Sequence, residues 1–172
     1  SQRASLSDAT QDTLNPDGTT QRLVNDKVGY IRNSVKATVD AYDGSVDLYE
    51  FDKNDPVLKA WQGVFPDVVK PEAEISDELR QHFRYPEDMF KVQRDLLARY
   101  HVDDPNVFFN NDAFWSVPND PTAEESRQLN QPPYYVMAAD PKTGKPTFQL
   151  TTSYRGLNRE FLSAHMAVSS DP

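Results

Sequence analysis

Three aspartates set close together, Asp40, Asp43 and Asp47, are the residues of this chain whose type and spacing come nearest to chemistry. They surround an Asp43-Gly44 turn between two alternating runs, and a two-residue turn there puts Tyr42 opposite Ser45, Ala41 opposite Val46 and Asp40 opposite Asp47. Directly opposed like charges destabilise an antiparallel pair. A cation would relieve that repulsion, and oxygen-only ligands suit Ca²⁺. The spacing departs from the EF-hand loop, and a solvated acidic face or a register displaced by one residue accounts for the same pattern, so three readings stay open.

Other chemistry is sparse. His82, His101 and His165 show neither HExxH nor H-x-H spacing, and His101 reads as a residue at the carbonyl end of its own helix. Arg84-Tyr85-Pro86-Glu87-Asp88 reads as a proline-started helix with acids in its positive first turn rather than as an acid/base cluster. With no cysteine, no G-x-S-x-G and no G-x-G, the chain offers no thiol, no serine elbow and no nucleotide-binding loop. Ser34, near Arg32 and Lys36, reads as strand surface. The 27 acidic residues still permit a glycosidase-like carboxylate pair, because such a pair is defined by separation in space. Aromatic residues gather at Phe108, Phe109, Phe114 and Trp115, and again at Pro132-Pro133-Tyr134-Tyr135. Core packing is the ordinary use of such density; as a binding patch, the candidates are Tyr134, Tyr135 and Trp115.

The composition narrows the partners. Twenty-seven acidic against 18 basic residues give a formal charge of −9, which repels nucleic acid and anionic lipid, and no Lys/Arg run offsets it. Apart from the calcium candidate, no cofactor is expected. No stretch of about 18 apolar residues occurs, so direct membrane insertion by this chain is not expected and any anchor would lie outside it.

The elements that must position these residues follow from period and punctuation. Val35, Ala37, Val39 and Ala41 alternate with polar residues, as do Val46 and Leu48, and Asp-Gly between them signals a hairpin over about 30–52. Asp55-Pro56 is an N-cap with proline at the first helical position. Val57, Ala60, Trp61, Val64 and Phe65 then form a stripe that should turn Trp61 inward. Helices are expected over 77–84 and 86–101, the latter with Met89, Val92, Leu96 and Tyr100 as its apolar stripe, and a short one after Asp104-Pro105. A second hairpin spans about 134–154, with Phe148, Leu150, Thr152 and Tyr154 on one face. Residues 158–166 read as a short helix before a strand cut short. The fold class is therefore α+β, two antiparallel hairpins, in one sheet or two, with short-to-medium helices on one face. The expected organisation is a flexible polar extension (1–26), a hairpin with helices (27–118), a polar connection (119–133) and a second hairpin with a truncated end (134–172), together one incomplete domain.

The phrases NSVKATVDAYDGSVDLYEFDKNDPVLKAW, RYPEDMFKVQRDLLARYHVDDP, FWSVPNDP and QPPYY, in this order and spacing, resemble an uncharacterised family of large multi-pass membrane proteins of actinobacteria and cyanobacteria. The resemblance covers about residues 25–172. It implies an internal slice of a domain outside the cytoplasmic membrane, with the remainder of the same membrane protein, or a cell-envelope component, as partner. It implies no catalytic residue. The expected role is thus a non-enzymatic structural or binding module of the envelope, the alternative being an envelope glycan hydrolase or metal-dependent enzyme whose carboxylates lie partly outside the chain.

Overall fold

A computed structural model describes residues 29–123 and 129–170, together with the backbones of four two-residue strands nearer the start. Those strands are β1 (Ala4–Ser5), β2 (Thr13–Leu14), β3 (Thr20–Gln21) and β4 (Lys27–Val28), with β1 antiparallel to β4 and β2 antiparallel to β3. The rest of the polar extension expected over 1–26 lies outside the described residues. The remainder forms two compact units, one over Tyr30–Arg84 and one over Tyr85–Ser170.

In the Tyr30–Arg84 unit, β5 (Val35–Val39) pairs antiparallel with β6 (Val46–Glu50), and β7 (Val69–Lys70) adds to β6 in parallel. The turn starts earlier than a two-residue Asp-Gly loop allows. The Asp40 amide donates to the Ser45 carbonyl (2.9 Å) and the Gly44 amide to the Asp40 carbonyl (3.0 Å), so the loop is Ala41 to Gly44. Gly44 takes φ +74, a left-handed geometry that costs glycine nothing. Thr38, not Asp40, therefore faces Asp47. The register has moved by two residues, which changes every partner but keeps each side chain on its face. The second hairpin repeats this loop: the Asp140 amide donates to Lys145 and the Gly144 amide to Asp140, each at 2.8 Å, with Gly144 at φ +69.

These loops make a test of opposite signs. An added Cβ would meet nothing within 4 Å at Gly44, Gly144 or Gly63. Gly44→Ala and Gly144→Ala are each expected to cost about 1 kcal/mol through the backbone alone, whereas Gly63→Ala, inside a helix, is expected to gain a similar amount. Urea denaturation of the three variants checks this.

α1 (Pro56–Val64) starts at Asp55, whose carboxylate accepts from the Val57 amide. A 3-10 turn (Glu72–Glu74) and α2 (Asp77–Gln81) follow, the latter capped by Ser76 through the Leu79 amide at 3.1 Å. Tyr49, Leu58 and Ile75 are buried here. On the Tyr49 side of the sheet the half-buried Lys36 ammonium lies 4.9 Å from the Phe51 ring and 5.6 Å from Phe83, and burial lowers its pKa.

The Tyr85–Ser170 unit comprises α3 (Glu87–Tyr100), α4 (Pro105–Asn110), β8 (Trp115–Ser116), β9 (Tyr134–Ala139), β10 (Pro146–Gly156) and β11 (Leu162–Ser169). β10 is the hub, with β11 along one edge and β9 and β8 along the other, all antiparallel. The two long hairpins thus belong to separate sheets rather than sharing one. Phe90, Leu150 and Tyr154 are completely buried, and the architecture is α+β as the patterning predicts.

Two expectations fail here for identifiable reasons. Residues 162–169 form β11, not the end of a helix: Ala164, Met166 and Val168 are each less exposed than their neighbours, a period of two, and β10 supplies partners from Gln149 to Arg155. Backbone pairing along that edge outweighs the local helical preference. On α3, the buried residues are Phe90, Lys91, Val92, Arg94 and Ala98, while Leu96 and Tyr100 stand 41% and 53% exposed. Lys91 and Arg94 are buried along their whole side chains, with charged ends held by the Glu87 carboxylate (2.6 Å) and the Gln131 carbonyl (3.1 Å). Val92 is buried as expected, but counting Lys91 and Arg94 as polar turns the rest of the stripe toward Leu96 and Tyr100, which are exposed.

Candidate functional site

The acidic triad does not assemble. The Asp40 carboxylate accepts from its own loop at the Tyr42 amide (2.7 Å), and Asp43 does the same at Ser45 (2.8 Å), which lowers the Asp43 pKa. Asp47 pairs instead with Lys70 at 2.9 Å, and this bond raises the lysine. Among the described residues no group of three or more His, Asp or Glu side chains is placed to hold a metal ion.

The three aromatic candidates also occupy different places. Tyr135 lies flat against Phe148 (5.4 Å between centroids) and donates to the Tyr85 carbonyl at 2.8 Å, while Tyr134 is 44% exposed. Trp115 sits opposite Gly156, and Tyr134 opposite Thr151. Five strand positions separate those partners, roughly 17 Å. Trp115 is stacked on His101 at 3.5 Å and tilted against Tyr154 at 5.2 Å, so it serves packing. His101 holds the helix end as expected, one ring nitrogen 2.8 Å from the Leu97 carbonyl and the other 3.0 Å from that of Ala113. Phe114 is buried, but Phe109 is 87% exposed.

An apolar concavity lies elsewhere, within the Tyr30–Arg84 unit. A groove of about 700 Å³ is lined by Ile31, Val35, Leu48, Val57, Trp61 and Phe65, among others. The alternation of β5 and β6 supplies its floor and the outer stripe of α1 its wall. The stripe expected to turn inward in fact borders this groove: Leu58 is the buried residue of α1, and Trp61, stacked on Phe65 at 5.3 Å, is 58% exposed.

Asp55 closes one end. Tyr30 and Ser34 donate hydroxyl hydrogen bonds to its two carboxylate oxygens, in addition to the Val57 amide. Ser34 is therefore buried against Asp55, not on the strand surface. The Ser34 bond, then the Tyr30 bond, hold the Asp55 pKa down at about 2, and the same contact raises the Tyr30 phenol. Next to it, Arg32 pairs with Asp52. The sequence marks Asp55 as a helix cap and gives no sign that residues 21 and 25 positions earlier converge on it.

A second cleft, of about 680 Å³, lies in the other unit among Asn110, Asn111, Asp112, Asn158 and Arg159. Its polar residues are exposed and solvated.

Comparison with known proteins places the chain. A family model described as Uncharacterised protein family (UPF0182) matches residues 3–172. A UPF0182 protein of Corynebacterium glutamicum (strain R) is 73% identical over 173 residues, covering 100% of this chain and 18% of the relative. UPF0182 protein jk1603 of Corynebacterium jeikeium is 69% identical, covering 100% of this chain and 17% of its own length. A UPF0182 protein of Rhodococcus opacus is 63% identical over 99% of the chain and 17% of the relative. No solved structure matches. Spanning less than a fifth of these relatives, the chain belongs to the uncharacterised protein family UPF0182.

Proposed function

We propose that this chain is a non-enzymatic binding module, exposed outside the cytoplasmic membrane as part of a multi-pass envelope protein. The observation that carries the binding role is the groove over β5, β6 and α1, a concave apolar surface with polar groups confined to one end, the form expected of a ligand or partner site. The extracytoplasmic placement rests on the sequence resemblance, and the small share of the relatives that the chain spans supports its being part of a longer protein.

These 172 residues contain no cysteine, so a single one placed in them tests placement when its labelling is read against the unsubstituted full-length protein. Tyr42, fully exposed at the hairpin tip, is replaced in a full-length family protein carrying this chain. Tyr42→Cys is expected to react with a membrane-impermeant maleimide in intact cells. Labelling only after permeabilisation would place the chain on the cytoplasmic side and overturn the reading.

A further inference from the structure

One face of the hairpin in the Tyr30–Arg84 unit is apolar except for Glu50, which stands opposite Val35 at one end, and it is only partly covered. Val35, Ala37 and Val39 share this face with Val46 and Leu48. Val39 and Val46, paired with each other, are 66% and 58% exposed. α1 roofs one end through Leu58, and its own stripe continues the apolar surface at Trp61, Val64 and Phe65. Scattered exposed valines need no explanation, but a contiguous set drawn from three elements marks a contact surface. Alternation on both strands and a helical stripe beside them are the patterns of faces that become covered.

We propose that this face seats an apolar segment of the same polypeptide, lying outside these 172 residues. The inference rests on reading the chain as a module of a longer protein. Relatives devote only 17–18% of their length to this region, so more than four-fifths of the polypeptide is tethered to it. Such tethering supplies an effective concentration that reaches the millimolar range for short linkers. A second copy would bring a formal −9 against −9, and an anionic lipid surface meets the same repulsion. At the polar end Tyr30 and Ser34 are satisfied by Asp55 and Arg32 by Asp52, so beyond Glu50, which faces Val35 there, what remains to be matched is apolar surface. Five-residue strands present about 17 Å of it, the length of three helical turns or one short strand.

Photo-crosslinking tests the seat. In the full-length family protein carrying this chain, Val39 and, separately, Trp61 are replaced by p-benzoylphenylalanine, with Tyr42 as the exposed control. Irradiation is expected to give adducts within one polypeptide, mapped by mass spectrometry to residues outside this chain, at least tenfold above the Tyr42 control. Adducts of doubled mass, adducts with lipid or another protein, adducts confined to these 172 residues, or none above control each overturn the proposal. Val39 is well exposed, so it reports even if replacing Trp61 disturbs α1. Cytoplasmic labelling of Tyr42→Cys would sink the extracytoplasmic placement while leaving an intrachain adduct standing; outside labelling with no adduct would sink the docking alone.

Discussion

Phe90→Ala is expected to destabilise the Tyr85–Ser170 unit by about 3–5 kcal/mol, the cost of deleting a fully enclosed aromatic side chain. Phe90 has no exposed surface, stands edge-on to Tyr85 at 6.5 Å, and belongs to a core in which Leu150 and Tyr154 are equally enclosed. Tyr154 ties the sheet side of this core to the helix by donating to the Arg94 carbonyl at 3.0 Å, and burial raises its pKa to about 12, so the bond persists across the accessible pH range. Leu96, on the same helix but 41% exposed, supplies the contrast: Leu96→Ala is expected to cost less than about 1 kcal/mol. The pair tests the rotation of α3 directly. With two tryptophans in the chain, Trp61→Phe leaves Trp115 as the fluorescence reporter for this unit during urea unfolding. Equal losses at the two positions would mean that the helix faces the sheet through the stripe its sequence advertises.

How much of this was legible beforehand depends on whether the determining interactions were local. Asp55-Pro56 and Asp104-Pro105 announce α1 and α4 because a cap and a proline act within one turn, and both carboxylates accept the expected amides. The hairpins were legible for the same reason. The register of the first was not, since Asp40 opens a four-residue loop by accepting from the amide two positions on, a loop that Asp140 opens in the same way in the second. β11 required knowing that β10 had a free edge, and the rotation of α3 required knowing that Lys91 and Arg94 would find partners for their charged ends. The groove was half visible. The α1 stripe was legible as a pattern but does not turn Trp61 inward, because periodicity records that a face is meant to be covered but not whether the covering atoms lie in the same segment.

The role of Asp55 should emerge in acid. Its folded pKa of about 2 lies below the ordinary value of 3.8, so the carboxylate contributes stability that is fully present above about pH 4 and disappears as pH falls through about 2. Asp43, Asp120 and Asp140 are shifted in the same direction, so the whole protein weakens in this window and the Asp55 share must be taken by difference. Asp55→Asn keeps the shape but removes the charge toward which Tyr30, Ser34 and the Val57 amide all donate. Its melting midpoint is expected to lie roughly 5 °C below the parent at pH 7, because Asn still caps the helix but weakens the charge-assisted bonds and leaves one hydroxyl donor without an acceptor oxygen. Between pH 4 and pH 2 the gap should close, because protonation removes from the parent what the substitution has already removed from the variant. Parallel curves across that interval would mean that the three donors serve Asp55 as a neutral acceptor equally well, and that the end of the groove is fixed by shape rather than by charge. The converging curves expected instead would make the ionised Asp55 the fastening between β5 and α1, and so the group that holds the groove's floor against its wall.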